Sequence, residues 1–87
     1  MAQFRRIPIL VEAMTAGQIR DLSYRERPAW VQNAMQSGRL VLKTTEIIVR
    51  SPALDFSAKR EDWVVQDASG ELSGWRPALF AKTFQPA

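Results

Sequence analysis

Neither cysteine nor histidine occurs in the chain, and in 87 residues that double absence narrows the outcome more than any motif does. A chain of this size buries roughly 60 to 65% of the surface its unfolded form exposes, which leaves room for one core and little beside it. With no thiol there is no disulfide framework and no thiolate zinc site, so the domain must hold together by packing alone. A reducing, cytoplasmic setting fits such a chain better than a secreted one. Without histidine, the Ser/His/Asp, Cys/His and His-metal sites are excluded, and catalysis could rest only on carboxylates, lysine or serine. The uninterrupted apolar runs, such as Ile9-Leu10-Val11 and Ile47-Ile48-Val49, are far shorter than the roughly 18 residues a bilayer requires. The expectation is one soluble globular domain over residues 1–87, with no membrane association.

Periodicity sets the order of elements. Ile7, Ile9, Val11 and Ala13 alternate with Arg6, Pro8, Leu10 and Glu12, the pattern of a half-buried strand. Pro8 cannot donate to a ladder and directs that strand to a sheet edge. Met14 to Leu22 reads as a weak helical turn with Ile19 and Leu22 on one face. Ser23-Tyr24-Arg25-Glu26 has the form of a capping box, but Pro28 would interrupt a helix started there, so Pro28 itself is taken as the first helical residue. From it, Trp30, Val31, Ala34 and Met35 make an apolar stripe ended by Gly38. The opposite face carries only neutral polar groups, Gln32, Asn33 and Gln36.

Beyond Gly38 the composition turns β-branched. Leu40 to Leu42 and Ile47 to Val49 suggest strands, and Leu54 and Phe56 alternate as a further short one. Trp63 to Gln66, a turn over Asp67 to Gly70, and Glu71 to Trp75 form a hairpin pattern in which Trp63 and Trp75 could pair across. Pro77 to Lys82 reads as a helical turn and Thr83 to Gln85 as a last strand. The expected class is α+β, a mainly antiparallel sheet packed against one principal helix in the order β-α-β-β-β-α-β.

Within this frame, Asp62-Trp63-Val64-Val65, then Gly70-Glu71, Arg76-Pro77, Phe80 and Thr83-Phe84, resembles the carboxy-terminal signature of a family of small bacteriophage and prophage proteins. That signature runs from G-D-[YW] and two aliphatics through G-E and [KR]-P to F and T-[YF]. The opening Phe4 to Ala13, with its basic pair, proline, aliphatics and Glu-Ala, is similar to the family's start. This chain carries Glu61 where the family has glycine, and Ser73-Gly74-Trp75 where it often has tyrosine, proline and cysteine. The resemblance implies a phage-type accessory protein in a bacterial host cell and assigns no reaction.

The signature residues Asp62, Trp63, Gly70, Glu71, Arg76, Pro77, Phe80 and Phe84 also make sense as folding chemistry. Asp62 can accept backbone N–H groups at a turn, Gly70 can supply a positive φ, Glu71 can pair with Arg76, Pro77 can start a helix and the phenylalanines can fill core. Glu61, Asp62, Asp67 and Glu71 do not have the spacing of a calcium loop, and the four glycines form no phosphate loop. No cofactor, metal or catalytic residue is expected. Of the net charge of +3, Met1 to Lys43 holds seven Lys and Arg against three acids, whereas Thr44 to Ala87 holds five against six. Arg20, Tyr24, Arg25 and Arg27, together with Trp75, are therefore the candidate binding surface, with Arg5 and Arg6 extending the basic patch.

The preferred function is non-catalytic binding to a host or phage protein, as an inhibitor of a host or defence factor. One alternative is nucleic-acid binding through the amino-terminal arginines, with phosphate contacts and base stacking. Another is sequestration of a small phosphorylated ligand at a homodimer seam, since one subunit is too small for a deep pocket.

Overall fold

A computed structural model describes residues 2–3, 10–51 and 54–86. The elements are β1 (Glu12–Thr15), α1 (Ala16–Asp21), a 3-10 turn (Tyr24–Glu26), α2 (Ala29–Gln36), β2 (Leu40–Leu42), β3 (Ile47–Val49), β4 (Phe56–Ala58), β5 (Trp63–Gln66), β6 (Leu72–Trp75) and α3 (Pro77–Thr83). The class is α+β, and the described residues form two three-stranded antiparallel sheets, β1-β5-β6 and β2-β3-β4.

Among the described residues the first strand runs over Glu12–Thr15, two residues beyond the expected end at Ala13, and leaves Leu10 and Val11 outside it. The earlier half of the expected strand, from Arg6 to Ile9, and Arg5 before it lie outside the described residues. Thr15 then closes a capping box with Gln18: its Oγ1 accepts the Gln18 N–H at 3.2 Å while its own N–H donates to Gln18 Oε1 at 3.0 Å. That reciprocal cap turns six residues into a defined helix.

The Ser23–Glu26 box is also real, but it caps a 3-10 turn instead of an α-helix, and Pro28 ends that turn and stands as N-cap of α2. Gly38 and Gly70 have φ of +80° and +90°, the left-handed backbone expected of a helix end and a hairpin turn. The expected final strand over Thr83 to Gln85 does not form. α3 extends through Thr83, because Pro77 at its first turn fixes a helical φ and the Phe84 N–H still bonds to the Phe80 carbonyl at 2.9 Å.

Strand register explains the core. In the second sheet, Leu40, Val49 and Phe56 lie side by side on the same face as Leu42, Ile47 and Ala58. In the first sheet, Met14, Val64 and Gly74 share one face and Thr15, Trp63 and Trp75 the other. The core joins the inner faces of both sheets, through Leu40, Ile47, Val49, Ala58, Val64 and Leu72, to Ile19 of α1 and Val31 and Ala34 of α2. Trp30 and Met35 pack partly buried against this cluster. Trp63 lies on the outer face instead, opposite Trp75.

The two sheets meet most closely where the Phe56 ring lies on the backbone of Gly74, against which a Cβ would overlap Cγ, Cδ1 and Cε1 of the ring. Glycine here is required by space, since Gly74 has no positive φ. Gly74→Ala is expected to destabilise the fold by about 3 kcal/mol, as overpacking against a fixed ring does. Urea unfolding of Gly74→Ala, Phe56→Ala and the double variant checks this. The double variant should lose less than the sum of the singles, because the smaller side chain relieves the overlap.

Candidate functional site

The residues expected to form one basic patch are distributed over several local tasks. Arg20, at the end of α1, donates through Nη2 to the carbonyls of Lys43 at 2.6 Å and Glu46 at 3.0 Å, closing the β2-β3 turn against the helix. Arg27 donates from Nε to the Ile19 carbonyl at 2.8 Å, with Nη1 3.5 Å from Met35 Sδ. Each guanidinium is thus oriented inward by backbone oxygen. Arg39 performs the same kind of work, bridging Ser37 Oγ at 2.9 Å and the Gly70 carbonyl at 2.6 Å. Sequence reasoning missed Arg39, since nothing local shows that a residue ending one turn will reach another 31 positions away.

Tyr24 and Arg25 are presented differently. They occupy the 3-10 turn whose start is fixed by Glu26 Oε1, which accepts from the Ser23 N–H at 3.1 Å and Ser23 Oγ at 2.7 Å. The neutral polar face of α2 grips this turn: Gln32 Nε2 donates to the carbonyls of Tyr24 and Arg27, and Gln36 Nε2 donates to the Tyr24 hydroxyl at 2.7 Å. Tyr24 is 40% exposed, and the exposed Arg25 guanidinium makes no hydrogen bond or ion pair among the described residues. Trp75 makes its contacts with other residues, Ser73, Trp63 and Phe84. It is half-buried on β6, donates from Nε1 to Ser73 Oγ at 2.9 Å and meets Phe84 edge-on at 5.1 Å.

The signature residues converge around Asp62, the one charged side chain buried among the described residues, at 3% exposure. Its Oδ2 accepts the Lys59 N–H at 2.9 Å and pairs with Arg76 Nη1 at 2.5 Å, so Arg76 meets Asp62 instead of the expected Glu71. The other side of the Arg76 guanidinium lies over the Phe56 ring, 4.5 Å from its centroid. The turn's main chain carries α1, with the Ala16 N–H on the Asp62 carbonyl and the Gly17 N–H on the Arg60 carbonyl, both at 2.9 Å. Trp63 stacks flat on Phe80 at 4.0 Å, and Phe80 leads on to Phe84 at 5.0 Å. Phe80 and Phe84 are half-buried on the outer face and do not fill the core.

The remaining acids have separate roles. Asp67 Oδ1 accepts from the N–H groups of Ser69 and Glu71 and from Ser69 Oγ, which shapes the β5-β6 turn. Asp21 pairs with Arg60 at 2.8 Å in full view of solvent, an arrangement of small energetic value. Among the described residues no three acidic side chains gather in a way that could hold a metal ion. A shallow groove between β1 and α1 is lined by Ala13, Met14, Gln18, Asp21 and Leu22. No protein-family model, curated protein or solved structure matches the chain.

Two predictions follow from these contacts. Asp62→Ala removes both the acceptor for the turn and the counter-ion of Arg76, and is expected to cost about 2–4 kcal/mol in denaturant unfolding. Glu71→Ala, at the partner expected from sequence, should change stability by no more than about 0.5 kcal/mol.

The second concerns pH. Hydrogen bonds from Ser69 to Asp67, from Ser23 to Glu26 and from Arg60 to Asp21 hold these carboxyls below their ordinary values. A carboxyl depressed in the folded state stabilises above its unfolded pKa, and that contribution disappears as pH falls through the folded one. Stability should therefore drop on acidification below about pH 4. Asp67→Asn, which keeps the acceptor oxygen but does not titrate, should flatten part of that slope in thermal unfolding followed from pH 6 to pH 2.

Proposed function

We propose that this chain is a non-catalytic binding protein whose partner is another protein, docking on the turn that carries Tyr24 and Arg25. The resemblance of its carboxy-terminal segment to small phage and prophage proteins makes a host or phage protein the partner class. Inhibition of a host or defence factor is the outcome we assign to that binding. The observation that carries the reading is the prior fixation of this turn by Ser23, Glu26, Gln32 and Gln36.

Tyrosine and arginine are among the side chains that dominate interface energetics. A side chain already held in one conformation loses less entropy when a partner closes over it. Nucleic-acid binding draws less support, because Arg20 and Arg27 direct donors to main-chain carbonyls.

Affinity capture from bacterial lysate with the full chain tests this proposal, run beside Tyr24→Ala/Arg25→Ala and beside Leu79→Ala as a distant exposed control. The same protein should be retained by the unmodified chain and the control, with retention by the double variant reduced by at least about tenfold. Equal retention by all three, or repeated failure to retain any protein, would overturn the proposal. A mobility shift with DNA or RNA at low salt that Arg25→Ala weakens and moderate salt abolishes would favour the nucleic-acid reading in its place.

A further inference from the structure

α3 is attached to the molecule unlike α1 and α2. α1 buries Ala16, Gly17 and Ile19, and α2 buries Val31 and Ala34, whereas none of the seven residues of α3 is buried. Its contact with the sheets runs through rings: Phe80 flat on Trp63, and Phe84, one residue past the helix end, edge-on to Trp75. The side-chain hydrogen bond within it is internal, from Thr83 Oγ1 to the Leu79 carbonyl at 2.8 Å. Leu79 faces solvent at 54% exposure.

The residue just before α3 is held far more firmly. Arg76 is fixed by its ion pair to buried Asp62 and by the Phe56 ring, and Pro77 restricts the next φ. The chain is therefore pinned at the exit from β6 and lightly clasped beyond it. We infer that α3 is a separately opening cover, hinged at Arg76-Pro77, which lifts from the outer face of β5 and β6 while both sheets stay folded.

A seven-residue helix lies well below the roughly 12–15 residues at which an isolated helix becomes even marginally stable in water. Loss of the ring contacts and loss of the helix are consequently one event, and α3 melts as it lifts. What it uncovers is fixed by register: Trp63 and Trp75 are direct cross-strand partners, so opening lays two indoles side by side on one sheet face. The cover belongs to the low-stability end of the molecule, where opening does not require global unfolding. This inference stands independently of the binding partner proposed above.

Native-state hydrogen exchange on the full chain tests it, by comparing the amides of Phe80 to Phe84 with those of Val64 and Val65 in β5. The α3 amides should be protected at least about 100-fold less and should respond weakly to sub-denaturing urea, the mark of a local opening. Phe80→Ala should abolish α3 protection and leave β5 protection within about threefold, with Leu79→Ala changing neither. In a Trp30→Phe background, Phe80→Ala should also raise acrylamide quenching of the two remaining tryptophans. Equal protection and equal urea dependence of α3 and β5 in the unmodified chain would overturn the inference. So would loss of β5 protection in Phe80→Ala, which would make α3 part of the global unit.

Discussion

Burial of the Asp62 carboxylate is the constraint on which the rest of the arrangement hangs. A charge taken out of water must be answered by donors in fixed positions, since an unpaired one would cost several kcal/mol. The answer comes from the Lys59 N–H in the same turn and from Arg76 at the end of β6. The turn so fixed offers its own carbonyls to the first N–H groups of α1, satisfying donors that a helix leaves open at its start. Arg76, held by Asp62, lies over Phe56, and Phe56 lies on Gly74. One buried carboxylate thereby positions a helix N-terminus and the approach of two sheets.

Arginine is used in this fold chiefly as a tie between segments. Arg20, Arg27 and Arg39 each reach carbonyl oxygens of another part of the chain, where the planar, multi-donor guanidinium can answer oxygens that no secondary structure satisfies. In a domain too small to bury all its turns, such ties replace the staples that the absence of cysteine denies it. They also redistribute what sequence position suggests about the surface: arginines close in the chain need not face outward together. Tyr24 and Arg25 face outward because the glutamines of α2 hold the turn beneath them.

The outer face of the first sheet, which also carries the buried Val65, is finished by rings at the Trp63–Trp75 end. Trp63, Phe80, Phe84 and Trp75 form a continuous contact that seals one side of β5 and β6 without burying any residue of α3. Aromatic pairs supply large contact areas with few rotatable bonds, an economical solution for a short helix. The same economy makes this the layer with least to hold it.

Much of the local structure was legible in the sequence. The α2 stripe closed by Gly38, the β5-β6 hairpin with Gly70 in its turn and Trp63 opposite Trp75, and the helical start at Pro77 all follow from periodicity and backbone preference, which act over a few neighbouring residues. The same is true of the α+β class and of the exclusion of thiol and imidazole chemistry. Other features depend on partners distant in sequence. Arg76 meets Asp62 instead of Glu71 because the strand ladder brings the 59–62 turn beside the end of β6. Phe80 and Phe84 lie on the outer face because α3 crosses there, and the expected last strand is replaced by an extension of that helix. The sequence by itself determined the α+β class, the principal helix, the hairpin and the absence of thiol and imidazole groups, but not the full order of elements. Only the tertiary structure decided which of the described arginines tie segments together. A guanidinium's role depends on which carbonyl or carboxylate the fold brings within about 3 Å, and that is a property of distant neighbours.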